Sequence, residues 1–301
     1  MESCALCSSE KLELADTNVY DFEYSSSGPY TYFRCRQCGL ININPVPTEE
    51  QLLAAYPTTY HAYHPQATLV ARYMKNKYWR GKARRYSRYA DKNTPILDVG
   101  CAAGDLLVEL KMLGYKSLKG LDFNKEAVKK ARSRGLDVEF GTIEDSESSN
   151  RRQHFQMIVM DNFIEHVYHP LNTLKISHSL LASGGVVVGE TPNMDSWDYS
   201  LFRRYWGGYH TPRHLYLFNK NSLYALAERT GFHVKGIRSI LQPAHWALST
   251  QNMIQDTGLG SELRNGRAFY FTPLLLLFLP INLIQMAVSM TSLVEFIFQK
   301  E

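Results

Sequence analysis

The sequence predicts an α/β chain built on a mostly parallel sheet, with a cysteine-bearing module in front and an apolar segment behind. Three observations predict it. From 95 to 240, short apolar runs that end in glycine or an acid alternate with helical patterns. Four of the five cysteines stand in two C-x-x-C pairs, Cys4/Cys7 and Cys35/Cys38. No charged residue occurs between 268 and 294. The chain divides accordingly into a zinc-binding module at 1–45, a basic helical linker or lid at 46–94, a core at 95–240, and an apolar insertion with a final strand at 241–301. At 301 residues, 45% apolar and 21% charged, it has material for an independent core. The net charge of +4 is too weak to point to nucleic acid. The opening "MESCALCSSE" lacks the basic-then-apolar layout of a signal peptide, so a cytoplasmic location is expected.

In the core, "PILDVG" reads as a buried strand, and "GDLLVELKMLG" as a helix closed by Gly114. "SLKGLD" is the second strand, followed by the helix "NKEAVKKARSRG" and a third strand, "DVEFG". "FQMIVMDN" is the fourth, "HPLNTLKISHSLLASGG" a helix, and "GGVVVGETPN" holds the fifth strand. A helix capped by Asn219 or Asn221 then precedes a sixth strand, "FHVKGIRSI", and "VEFIFQK" would complete a seven-stranded sheet. Ligands of such sheets bind at the carboxyl ends of the strands, beside the first strand's turn.

That turn is "ILDVGCAAGDLL". Gly100 permits the turn at the strand end and Gly104 a close backbone approach at the helix start. The spacing does not fit the G-x-G-x-x-G of a dinucleotide site, and Asp98 would repel a pyrophosphate. Asp98 suits instead a ligand with a cationic amino group. Asp122, ending the second strand, suits a ribose diol. An amine-bearing, ribose-bearing, phosphate-free cofactor is S-adenosylmethionine.

"LDVGCAAGD", "LKGLDFN", "FGTIED" and "MIVMDNFIEHVYHP", in this order, resemble class I S-adenosylmethionine-dependent methyltransferases, in the branch that contains ubiquinone-pathway and surface-polysaccharide enzymes. The resemblance covers 95–240 and implies a Rossmann-like seven-stranded methyltransferase sheet. It implies that Asp98, Gly100 and Gly104 cradle the methionine and ribose end. It puts Asp122 on the ribose, Phe123 against the adenine, Ile143 and Glu144 near the adenine, and Asp161 and Asn162 beside the sulfonium. Ala102 stands where a glycine is frequent.

Two C-x-x-C knuckles complete a tetrahedral Cys4, Cys7, Cys35, Cys38 zinc site, and a closed shell of this kind is structural. Similar amino-terminal zinc modules, on the resemblance, occur in some sugar methyltransferases. Cys101, left over, reads as a small buried apolar residue.

Transfer to a hydroxyl calls for a general base. "WGGYHTPRHLYLF" offers His210, with Arg213 and His214 to hold the loop or the substrate. "EHVYHP" offers His166. His210 is favoured, and the alternative for His166 is a packing or capping role. Tyr56, Tyr60 and Tyr63 read either as a lid over the cofactor or as packing between module and core. The basic run at 72–88 reads as a solvated helix face or as a surface for anionic lipid or phosphate. The 268–294 segment is long enough to span a bilayer, but its prolines and polar residues favour a membrane-interface insertion, with a buried or dimer contact as the alternative. The expected acceptor is a small-molecule or lipid-linked glycan hydroxyl, met at the inner face of the membrane. The rivals are C-methylation of a nucleotide-linked sugar, O-methylation of a lipid quinol, and a zinc-binding interaction protein without turnover.

Overall fold

In a computed structural model, residues 3–24, 28–56, 69–145 and 154–301 are described. Tyr60 and Tyr63 lie outside them, as do the side chains of 69–72 and 74. In chain order the elements are β1 (Leu12–Val19), β2 (Tyr30–Cys35), β3 (Ile41–Asn44), α1 (Glu49–Ala54), α2 (Leu69–Tyr86), β4 (Ile96–Val99), α3 (Asp105–Met112), β5 (Leu118–Asp122), α4 (Lys125–Ser133) and β6 (Val138–Phe140). Then come β7 (Phe155–Asp161), α5 (Pro170–Leu180), β8 (Leu181–Pro192), α6 (Trp197–Phe202), β9 (Tyr216–Leu217), α7 (Lys220–Arg229), β10 (His233–Ser239), α8 (Pro243–Asp256), α9 (Phe271–Ala287) and β11 (Leu293–Gln299).

Seven strands form the main sheet in the order β10-β11-β8-β7-β4-β5-β6. The β4, β5, β6, β7 and β8 ladders are parallel, and β11 runs antiparallel to both its neighbours. Strand alternation sorts the core. Met157 and Val159 of β7 face Ala83 and Tyr86 of α2 and Leu106 and Leu110 of α3. Ile158 and Met160 face the opposite layer, with Leu174 and Ile176 of α5 and Leu223 and Leu226 of α7. The strand order reverses between β4 and β7, so the site gathers above the turns that follow them.

Asn124 caps α4 through the Ala127 N–H, and Asn219 caps α7 through the Ser222 N–H. The helix expected to run on to Gly185 stops at Leu180, because Leu181 already pairs with Phe155 in the β7–β8 ladder. The amino-terminal strands make a second sheet, β1-β2-β3-β9, whose last strand comes from within 95–240. The cysteine module is therefore joined to the core by a ladder as well as by the chain.

One surface expectation changes. Four cations of the basic run are engaged with the fold: Lys75 pairs with Asp105, Arg80 with Glu109, Lys82 with Asp161 and Glu190, and Arg85 with Glu190 and Glu295. Lys77, Arg84 and Arg88 remain exposed. Among the described residues no helix is long and apolar enough to cross a membrane. The apolar segment forms α9 with Pro280 inside it, packed on α8. Its polar residues point inward. Gln285 accepts from Trp246 Nε1 (2.7 Å) and donates to Asp198 (3.1 Å), while Asn282 accepts from the Gln242 N–H (2.6 Å). Leu276, Leu277, Leu283 and Ile284 are exposed.

Candidate functional site

The turn after β4 is built for close approach. Gly100 has φ +73°, Ala102 φ +48° and Gly104 φ +74°. A Cβ at Gly100 would stand 2.7 Å from the Phe163 ring, and one at Gly104 2.3 Å from Leu136 Cδ1. The Gly100 N–H donates to Leu121 O at 2.8 Å, tying the turn to β5. Asp122 ends β5 and accepts the Ala102 N–H (2.7 Å) on Oδ2 and the Asn124 N–H (2.8 Å) on Oδ1. Each oxygen keeps a further lone pair for a ligand hydroxyl. Burial raises its pKa against those two donors.

Asp98 is buried directly beneath this turn. Burial lifts its carboxyl well above the usual range, with Asp161 and Asp122 adding to the rise and Lys82 opposing it. An incoming ammonium would favour the ionised carboxylate and so offset that rise. The residues present thus fit S-adenosylmethionine: a backbone cradle without room for side chains, an acid for its ammonium and an acid for its diol.

Phe123 follows Asp122 and is 47% exposed, its ring 6.3 Å from that of Tyr56. Ile143 is fully buried in the core, and Glu144 is an exposed residue whose carboxylate accepts from Thr173 Oγ1 at 2.9 Å. Asn162, φ +46°, stands exposed after β7 and donates its N–H to Glu190 O (2.8 Å).

Asp161 opens a network that sequence reasoning missed. Lys82 Nζ, 1% exposed, lies 3.0 Å from Asp161 Oδ2 and 2.8 Å from Glu190 Oε2. Tyr86 donates to Asp161, and Arg85 binds Glu190 and Glu295. Burial opposes the charge of Lys82, yet Asp161 and Glu190 hold its pKa well above the ordinary value. A signal existed for Glu190: like Asp98, Asp122 and Asp161, it is an acid toward the carboxyl end of a buried strand.

The two candidate bases stand in one row. His166 Nδ1 lies 2.9 Å from Arg213 O and 3.3 Å from the Tyr56 hydroxyl. A carbonyl only accepts, so Nδ1 carries the proton. Burial pushes the His166 pKa down to about 3. His214 donates Nδ1–H to Gly208 O (2.9 Å), its ring 4.6 Å from His166 and 5.0 Å from His210. Glu165, pushed up to about 8 by burial, accepts from Thr191 Oγ1. His210 follows the Gly207–Gly208 pair with φ +42° and meets Glu23 of the amino-terminal module. Arg213 is fully buried and binds Asp21 and Glu23, so it holds the loop to the module.

The four module cysteines converge. Their sulfurs lie within 4.8 Å of one another, with Cys4–Cys38 at 3.6 Å and Cys7–Cys35 at 3.4 Å, and none is in a disulfide. Tetrahedral zinc with bonds of about 2.3 Å places its sulfurs roughly 3.8 Å apart, so the set fits that ion. Cys101 is buried and its thiol is pushed up by burial.

A family model described as a methyltransferase domain matches residues 70–235, more than half of the chain. Among curated proteins, the ubiquinone biosynthesis O-methyltransferase of Nitrosococcus oceani is 33% identical over 103 residues, 33% of this chain and 43% of that protein. The mitochondrial ubiquinone biosynthesis O-methyltransferase of Candida albicans is 29% identical over 124 residues, 37% of each. The aligned part thus spans less than half the length of either relative. Among solved structures, a SAM-dependent methyltransferase from Archaeoglobus fulgidus superposes with TM-score 0.52 at 20% identity, over 75% of this chain and 94% of that one, a likeness of fold. With the seven-stranded sheet, the glycine cradle and the paired acids in place, the chain belongs to the methyltransferase-domain family and has the class I S-adenosylmethionine-dependent fold.

Proposed function

We propose that the protein transfers the methyl group of S-adenosylmethionine to a hydroxyl on a lipid-linked acceptor. The observation that carries the reading is the cradle of Gly100 and Gly104 between Asp98 and Asp122. The cofactor supplies the activated methyl group. Asp98 binds its ammonium, Asp122 its diol, and Phe123 with Tyr56 shields its base. His210 is the group we assign to take the acceptor's proton. His166 stands nearer the cofactor side of the row, and its burial suits it to orient rather than to take protons.

Two acceptor chemistries follow. A glycan hydroxyl rests on the cysteine module and the sequence resemblance. A lipid quinol is favoured by the names of the curated relatives. Both fit the outward leucines of α9, which would meet acyl chains at the bilayer interface. Zinc, held by Cys4, Cys7, Cys35 and Cys38, would leave no open position and so would serve folding alone.

The test is transfer of labelled methyl from S-adenosylmethionine to a panel of polyprenyl catechols, lipid-linked glycans and nucleotide sugars, presented in vesicles and in detergent. Labelling of a catechol or a glycan hydroxyl, lost in His210→Gln, is expected. Cofactor binding with no labelling across the panel would favour the interaction-protein reading. Carbon-bound label on a nucleotide sugar would overturn the hydroxyl acceptor.

A further inference from the structure

The connection between β1 and β2 puts a carboxylate into the row of histidines. Glu23 lies 187 residues from His210 in sequence, yet its Oε1 meets His210 Nδ1 at 2.5 Å. The same carboxylate is gripped twice more, by Arg213 Nη2 at 3.2 Å on Oε1 and by Arg267 Nη1 at 2.6 Å on Oε2. The Asp21 carboxylate accepts the Glu23 and Tyr24 N–H groups, both at 3.1 Å, and so shapes the turn that presents Glu23. Burial alone would raise the Glu23 pKa, but His210, Arg267 and Arg213 hold it well below the ordinary value. A carboxylate kept ionised can only accept, so His210 donates Nδ1–H, and in the neutral ring the lone pair then falls on Nε2.

The rest of the imidazole is free to act. Among the described residues His210 Nε2 has no hydrogen-bond partner, and the side chain is 18% exposed. The charged and titratable groups around the ring are Glu23, Arg213 and Arg267 with Asp21 behind them, His214 at 5.0 Å with His166 beyond it, and His245 at 6.1 Å. Burial lowers the pKa of His166, His214 and His245, so these neighbours are neutral rings. The left-handed backbone of His210 costs about 1 kcal/mol, which surrounding contacts must offset. From Phe123 the contacts run through Tyr56, His166 and His214 to His210.

We propose that Glu23 of the amino-terminal module is the positioning residue of His210, fixing the Nδ1–H tautomer so that Nε2 receives the acceptor's proton. The proposal rests on the assignment of His210 as base. In the step it serves, the acceptor's O–H bond breaks and an Nε2–H bond forms. The oxygen takes the methyl group, and the pair of the broken C–S bond stays on sulfur. The proton leaves through the exposed edge of the imidazole. The module then completes the acceptor site.

The experiment is nitrogen-15 spectroscopy of histidine-labelled protein at pH 8.5, where an ordinary imidazole is neutral, with His210 assigned by His210→Gln. The parent should show His210 protonated on Nδ1 with an unprotonated Nε2. Glu23→Ala, with S-adenosylhomocysteine affinity within about twofold of the parent, should move His210 toward the Nε2–H form. A parent ring protonated on Nε2, singly or doubly, would overturn the proposal without recourse to any variant. So would an unchanged tautomer in folded Glu23→Ala. If the tautomer behaves as expected while His210→Gln still methylates a panel acceptor, the base assignment fails and the positioning contact stands.

Discussion

Ala102 shows how a single residue reports on the cofactor turn. Its φ of +48° lies in the region that suits glycine, and its N–H is committed to Asp122. Ala102→Gly keeps that hydrogen bond and relieves the side-chain strain, so it should raise unfolding stability by about 1 kcal/mol in urea titration. A loss of stability would mean that the Ala102 methyl packs. Glu165 makes a pH prediction. Its carboxyl is buried, Oε1 has no partner among the described residues, and its pKa is pushed from 4.5 up to about 8. The folded state therefore favours the protonated form. Its contribution is fully present below about pH 4.5 and is lost as pH rises toward 8. Glu165→Gln should remove that slope, gaining over the parent by about 1 kcal/mol per pH unit across the window. A gain that does not depend on pH would place the carboxyl in a less costly environment. At this scale much was legible in the sequence, because Asp98, Asp122 and Asp161 end short apolar runs. Glu23 was not, since nothing near it in the chain announces a partner 187 residues away.

Among the elements, α2 departs furthest from its sequence reading. A run rich in Lys and Arg reads as a solvated face because each charge is costly to bury. The sheet supplies the compensation from strands far along the chain, Asp161 from β7, Glu190 from β8 and Glu295 from β11. Lys82→Ala strands two buried carboxylates and should cost about 3 to 5 kcal/mol in a denaturation midpoint series. A change under about 1 kcal/mol would show that the acids are protonated without it. In α9 the periodicity signal fails for the opposite reason. The helix is apolar almost all round, so the sequence does not reveal that Asn282 and Gln285 form its inner face. Tertiary hydrogen bonds to Gln242, Trp246 and Asp198 decide that orientation. The seven strands were legible because the parallel ones are buried on both faces and read as apolar runs.

Taken whole, the described residues hold two sheets, and β9, from within 95–240, ties the cysteine module to the loop carrying His210. The boundary at 45 follows the cysteine pairs, which say nothing of the two-residue strand Tyr216–Leu217. Metal removal should therefore be felt beyond the module. Chelation of zinc-loaded protein should lower Tm by about 10 °C or more and expose amides of β1–β3 and β9 together in hydrogen exchange. Loss confined to the cysteine loops would separate the two sheets. The central claim is that the β4 turn and the β5 acid hold S-adenosylmethionine. The most direct measurement is calorimetric titration with S-adenosylhomocysteine, which shares the adenosine and amino-acid ends. The parent should bind at micromolar concentration, and Asp122→Ala should lose about 2 kcal/mol or more, the worth of hydrogen bonds to a charged group. A folded, zinc-loaded parent that does not bind, or an Asp122→Ala variant that binds equally well, would contradict it.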